Sequence, residues 1–205
     1  MDFAGKKLVL ETGKLAMQAN MATQVTYGET VVLTTVVSGG LNPDLDYFPL
    51  SVNYEERLYA GGLIKSSRFV KREGRPTDEA IIIRRLIDHA IRPLFPEDYK
   101  DEVQIVNTVL SLDKEADPRF LGMIGTSATL TASDIPWEGP MVSAVVGYIN
   151  DQYILNPSKS ELEKSRLNLV VSFVGQDLKY LAMEAEADIL PEEVVLGAVE
   201  FARNR

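Results

Sequence analysis

Eight of the chain's 21 lysine and arginine residues lie between positions 65 and 92, although the whole chain carries a formal charge of −9. Residues 65–76 read K-S-S-R-F-V-K-R-E-G-R-P, and Arg84, Arg85 and Arg92 follow in a helical pattern. Cationic groups at this density can neutralise successive phosphates, and an aromatic ring among them can stack on a base. Arg68, Lys71, Arg72 and Arg75 supply the charge, and Phe69 supplies the ring. An acidic protein repels polyanions, so the local concentration points to a phosphate-rich ligand, above all a single nucleic acid strand. Two plainer readings stay open: a solvated charged loop, or a loop anchored by Phe69 and Val70 as core residues.

Other chemistries are narrowed by what the composition lacks. There is no cysteine and one histidine, His89, which removes thiolate nucleophiles, thiolate metal sites and zinc held by several imidazoles. A metal would have to be a hard ion such as magnesium, held by carboxylates and substrate phosphate. The carboxylates give no clear centre. Asp113, Glu115 and Asp117 cluster, but Asp117-Pro118 reads as a helix start. Glu161 and Glu163 read as solvated residues of a short polar helix, and Glu184, Glu186 and Asp188 as an acidic tail without metal spacing. The glycines at 122 and 125 fall within a helix rather than at a phosphate-cradling turn. No residue of this chain is therefore assigned to catalysis, a cofactor or a metal.

The elements that must position the basic residues are legible from periodicity. Strands are predicted at residues 7–11, 21–27, 30–38, 47–53, 103–112, 141–149, 152–155, 167–174 and 179–184, with hairpin turns at Gly28-Glu29, Asn150-Asp151 and Gln176-Asp177. The segment 103–112 is apolar on both faces and reads as a buried strand. Thr77 caps a helix that runs to about Ile91 and stops at Pro93, with Asp78 and Glu79 at its positive end. Ile82, Ile83, Leu86, Ile87 and Ala90 share its apolar face. Arg84, Arg85, Asp88, His89 and Arg92 fall opposite, with Arg85, His89 and Arg92 in one stripe. Asp88 lies four residues from both Arg84 and Arg92, so one ion pair worth a few tenths of a kcal/mol is expected. A second helix from Asp117-Pro118 to Ala132 is crowded with small residues, which implies close packing on a sheet. A last helix opens at Pro191 and is still running at Arg205, so a longer polypeptide is expected. Strands mixed with helices and joined by hairpins indicate one α+β domain, a mixed sheet packed against helices. No apolar run approaches the roughly 20 residues that span a membrane, no signal pattern opens the chain, and the absence of cysteine fits the cytoplasm.

Five longer motifs share one resemblance: L-E-T-G-K-L-A-M-Q-A, D-Y-F-P-L-S-V-N-Y-E-E-R, R-F-V-K-R-E-G-R-P, R-L-I-D-H-A-I-R-P-L-F-P and V-G-Y-I-N-D-Q-Y-I-L-N-P. In this order, covering nearly the whole chain, they resemble the first RNase PH-like domain of the bacterial polynucleotide phosphorylases. The resemblance implies a ribosomal-protein-like β-α-β two-layer fold. It implies a parent enzyme in which inorganic phosphate, as co-substrate, attacks the 3′-terminal phosphodiester of RNA and releases nucleoside diphosphates. The partners implied are single-stranded RNA, two further copies in a homotrimeric ring, and proteins of an RNA-degradation complex. A second RNase PH-like domain, a KH domain and an oligonucleotide-binding barrel would share the chain. Phe69, Lys71, Arg72, Arg75, Arg85 and Arg92 match the family's RNA path.

The same resemblance places phosphorolysis and its Mg2+ in the second RNase PH-like domain. There a serine-rich turn holds phosphate and an aspartate pair holds the metal. This chain has D-P-R-F-L at residues 117–121, without the serines, and S-E-L-E-K-S-R-L-N at residues 160–168, without the aspartate spacing. The expectation is a domain that guides RNA and does not cleave it. His89-Ala90 stands where the family usually has Arg-Pro, and Val70-Lys71 where many members have Phe-Arg, which weakens stacking and exchanges a bidentate donor for a point charge. The alternatives are an assembly scaffold whose arginines make inter-subunit contacts, and a stand-alone RNase PH-type enzyme.

Overall fold

The computed structural model describes residues 2–3, 6–63, 74–113 and 117–204. Phe69, Lys71, Arg72 and Glu115 therefore lie outside the described residues. Ten strands form two sheets. The first contains β1 (Asp2–Phe3), β2 (Lys6–Thr12), β3 (Met21–Tyr27), β4 (Thr30–Leu41), β5 (Leu50–Glu56) and β6 (Asp101–Ser111), in the order β1-β2-β3-β4-β6-β5. All its pairs are antiparallel except β5 with β6. That parallel pair demands a crossover, and helix α1 (Asp78–Ile91) lies within it. The second sheet holds β7 (Met141–Ile149), β8 (Gln152–Leu155), β9 (Leu167–Val174) and β10 (Lys179–Ala187) in the antiparallel order β10-β9-β7-β8. The mixed α+β fold is as expected, with two sheets where one was read.

Helix α2 (Pro118–Ala132) packs on β3 and β4 and also on β7, so it lies between the sheets. Its small residues make that approach possible. A Cβ on Gly125 would stand 2.3 Å from Thr34 Oγ1, inside any tolerable contact. Beside it, Thr34 donates to Asn107 Oδ1 at 2.7 Å and Asn107 to Thr126 at 3.2 Å, so three buried polar side chains satisfy one another. One apolar core runs from Val25, Val36 and Ile105 of the first sheet through Ile87 and Leu121 to Val145 and Val170 of the second. A smaller core lies beneath α4 (Glu192–Arg203), where Ala198 meets Leu169 and Phe173.

Several boundaries and faces differ from the sequence reading; β4 and β10, for example, each run three residues further than predicted. The strand read at residues 47–53 begins at Leu50, because Phe48 turns into a ring cluster with Phe95 at 4.8 Å and Tyr99 at 5.6 Å. β6 is not buried on both faces: Val103, Ile105, Asn107 and Val109 point inward while Gln104 is exposed, since the described helices cover one side of that sheet. Ile82 is 56% exposed; it stands at the margin of the helix stripe, turned toward β10 rather than β5. The last helix closes at Arg203, where the Asn204 N–H reaches the carbonyls of Glu200 and Ala202.

Candidate nucleic-acid interface

α1 carries the part of the basic segment that the structure describes. Its start is fixed by Thr77, whose Oγ1 accepts the Ala80 N–H at 3.0 Å and donates to Glu56 Oε2 at 3.0 Å. Ile83, Leu86, Ile87, Ala90 and Ile91 are buried, which turns Arg85, His89 and Arg92 outward on one exposed stripe. Among the described residues Arg85 has no ion-pair partner. Its full charge therefore faces solvent.

Arg75 is also exposed and stands at the mouth of a cavity of about 590 Å³ between β5, α1 and the start of α2. Leu58, Val109, Leu112 and Pro118 make its walls apolar. Tyr54 lines it as well, yet its hydroxyl is buried without a hydrogen-bond partner among the described residues. Burial pushes that hydroxyl's pKa well up, and the carboxylates of Glu56, Asp117 and Glu79 push it further.

Arg92 is in a different state from Arg85. Its Nε and Nη2 donate to the two Asp88 carboxylate oxygens at 3.1 and 2.6 Å. Its Nη1 and Nη2 also donate to the carbonyls of Phe48 and Leu50 at 3.4 and 3.3 Å. The guanidinium carbon lies 5.8 Å from the Phe48 ring centre. The ion pair expected at Asp88 is thus made by Arg92 rather than Arg84.

The two stretches matched to a phosphate turn and a metal pair meet at a second cavity of about 360 Å³. Asp117 caps α2 by accepting the Arg119 N–H at 2.9 Å, the role expected of it. The same carboxylate takes Arg119 Nε at 2.6 Å, and Arg119 Nη2 reaches Asn168 Oδ1 at 3.3 Å. Burial lowers the Arg119 pKa, but the hydrogen bond and charge of Asp117 outweigh it and leave the pKa raised. Glu79, Glu184 and Glu186 line the same space. The cavity holds one arginine, already paired, and three carboxylates around it.

The sequence reading missed this convergence, because the sheet pairing that brings Glu184 and Glu186 beside Asn168 leaves no local signal. Glu186 lies opposite Asn168 across the β9–β10 ladder. Glu161 also differs from its expected solvated state. It accepts the Ser158 N–H at 2.8 Å and the Ser158 hydroxyl at 2.9 Å, closing a capping box on α3 (Lys159–Leu162). Those bonds, the backbone one first, hold its pKa below the usual carboxylate value. Among the described residues no three carboxylate or histidine side chains gather in a way that could hold a metal ion.

The pattern of the 3′ exoribonuclease family, domain 1, matches residues 4–136, well over half of the chain. The chain belongs to the 3′ exoribonuclease family. The pattern of domain 2 of the 3′ exoribonuclease family matches residues 139–205. Relatives named polyribonucleotide nucleotidyltransferase match the whole chain: 49% identity over 204 residues in Geobacillus kaustophilus, 47% over 204 in Bacillus subtilis and 52% over 205 in Pelagibacter ubique. The chain spans 28% of the Geobacillus protein, a share that fits a first RNase PH domain. In fold it is similar to rice Rrp46, with a TM-score of 0.77 over 97% of this chain and 88% of that one at 12% identity. The RNase PH-like α+β architecture is thereby shared by a 3′ exoribonuclease family member and a chain of very different sequence. No helix among the described residues is long and apolar enough to cross a membrane.

Proposed function

We propose that the chain is the RNA-guiding, ring-forming domain of a phosphate-dependent 3′-to-5′ exoribonuclease. The parent enzyme would use inorganic phosphate to release nucleoside diphosphates from single-stranded RNA in mRNA degradation. The observation that carries the reading is Arg85, exposed on α1 and unpaired among the described residues, with Arg75 exposed ahead of the same helix, on a chain of net charge −9 in this family. Phe69, Lys71 and Arg72, outside the described residues, complete the proposed grip by charge and stacking. The homotrimer, the second RNase PH-like, KH and barrel domains, the RNA-degradation partners and the cytoplasmic setting belong to the same proposal. The shared core that runs from the first sheet through α2 to the second supports reading the chain as one domain.

Cleavage is assigned elsewhere in the parent enzyme. In-line displacement by phosphate needs free cationic or metal charge to neutralise the developing negative charge. At the matching place here, Arg119 is already bound to Asp117, and Glu79, Glu184 and Glu186 repel an anion. Among the described residues these carboxylates do not gather closely enough to hold a metal ion, so the lining does not fit a Mg2+–phosphate centre.

The test is RNA binding by the intact protein after Lys71, Arg72 and Arg75 are changed to Ala. The salt dependence of affinity is expected to flatten by about 0.7 for each phosphate no longer neutralised. Unchanged affinity and slope would remove the grip. Loss of the oligomer in sedimentation with RNA binding intact would favour the scaffold. Phosphate-dependent release of nucleoside diphosphates by residues 1–205 with magnesium is expected to be nil.

A further inference from the structure

The arginines of the α1 stripe share spacing but not circumstance, and the difference sorts their roles. An arginine offers five N–H donors. In Arg92 four of them are spent: two on Asp88 and one each on the carbonyls of Phe48 and Leu50. Its guanidinium carbon lies 5.8 Å from the centre of the Phe48 ring. A phosphate arriving at Arg92 would find one N–H and a charge already countered by a carboxylate. Arg85, seven residues earlier on the same face, has no such partners among the described residues.

The carbonyls that Arg92 holds are not arbitrary. Phe48 and Leu50 flank Pro49, where the chain enters β5, the edge strand of the first sheet. Leu50 also pairs with Val103 across the parallel β5–β6 ladder. Pro49 has no N–H, so this bend has one fewer backbone anchor. Phe48 packs with Phe95 and Tyr99 just beyond the helix end. Arg92 therefore ties the last turn of α1 to the first residue of β5 and closes the aromatic cluster over the joint.

We infer that Arg92 is a positioning residue: it fixes the line of α1, and through it the placement of Arg85, without itself gripping a phosphate. This sorting rests on the strand-guiding reading above. The alternative, in which Arg92 is a third phosphate ligand, makes the opposite prediction for salt dependence.

The experiment measures two quantities in the intact protein: the slope of log affinity for single-stranded RNA against log salt, and the melting temperature. Arg92→Gln is expected to keep the wild-type slope, to weaken affinity two- to threefold at fixed salt, and to lower the melting temperature by several degrees. Arg92→Lys restores the charge but cannot bridge Asp88 and two carbonyls, so it should not recover the melting temperature. Asp88→Asn, which leaves every cation in place, should also lower the melting temperature at an unchanged slope. Arg85→Gln should flatten the slope by about 0.7 at an unchanged melting temperature. The proposal is overturned if Arg92→Gln flattens the slope by the same amount, Arg92→Lys restores it and the melting temperature does not move. It is overturned equally if Asp88→Asn tightens RNA binding, since that would mark a guanidinium released to bind. If neither Arg85→Gln nor Arg75→Gln alters the slope, the strand-guiding reading itself fails, whatever the Arg92 variants do to stability.

Discussion

Arg85 and Arg119 are the same side chain in opposite surroundings. Arg85 sits on a solvent-facing stripe with no ion-pair partner among the described residues, whereas Arg119 is mostly buried, hydrogen-bonded to Asp117 and Asn168 and ringed by three more carboxylates. A free guanidinium is available to a polyanion; a paired one is already committed to structure. The contrast explains how an acidic chain can keep a local positive charge, proposed above to meet RNA, while the cavity beside its second sheet is ringed by carboxylates that repel an anion. Arginine count alone would not separate the two regions.

The sharpest way to break the comparison is to remove the committed arginine. Arg119→Ala leaves the Asp117 carboxylate, 11% exposed, without its counter-ion, and removes a cation that also acts on Glu79. Stability should fall by about 2–3 kcal/mol, because a nearly buried charge loses the cation paired with it. Urea unfolding measures this, and RNA affinity by the surviving folded fraction should be unchanged. A loss of RNA affinity without a loss of stability would mean that the two regions are not distinct.

Arg75→Ala tests the free side of the contrast, since Arg75 is exposed and touches no core residue by an ion pair among those described. Unfolding free energy should stay within about 0.5 kcal/mol of wild type. Affinity for single-stranded RNA should fall, and the salt slope should flatten by about 0.7, the value of one neutralised phosphate. Filter binding across a salt series reads both the affinity and the slope.

Much of this contrast was legible before the fold, and the rest was hidden for identifiable reasons. Thr77, Asp117, Pro118 and Gly28 are local signals, and the helices and hairpin they announce lie where they were read. The exposed stripe followed from helical spacing alone. Burial of one face of β6 could not be read from its apolar run, because it depends on which side of the sheet the helices cover. Arg92 looked equivalent to Arg85 because its carbonyl partners, Phe48 and Leu50, are more than forty residues away in sequence. The cavity at Arg119 was invisible for the same reason: Asn168, Glu184 and Glu186 reach it only through sheet pairing.

A smaller effect probes the uncharged member of this neighbourhood. The Tyr54 hydroxyl is buried without a partner among the described residues, near Asp117, Glu79 and Arg119. Tyr54→Phe removes a group that lost its hydration and gained nothing, while the ring keeps its contact with α2. Stability should be unchanged or up to about 1 kcal/mol higher. A drop larger than that would show the hydroxyl to be an acceptor or donor in the paired region, enlarging the network around Arg119.

The same distinction between committed and free charge extends to the carboxylates. Glu161 is committed, its Oε2 accepting both the Ser158 N–H and the Ser158 hydroxyl, whereas Glu184 and Glu186 have no such partner among the described residues. Because those bonds depress the folded-state pKa of Glu161 below its ordinary 4.5, its stabilisation is complete above that ordinary value. It is lost as pH falls through the lower folded value, where the carboxylate takes up its proton. Glu161 is partly exposed, so solvent screening keeps the contribution to a few tenths of a kcal/mol. The stability gap between wild type and Glu161→Gln should therefore be constant from neutral pH down to the ordinary carboxylate range and close below it. Denaturation curves of wild type and Glu161→Gln between neutral and acid pH measure that gap, as a salt series measures the free charge of Arg85.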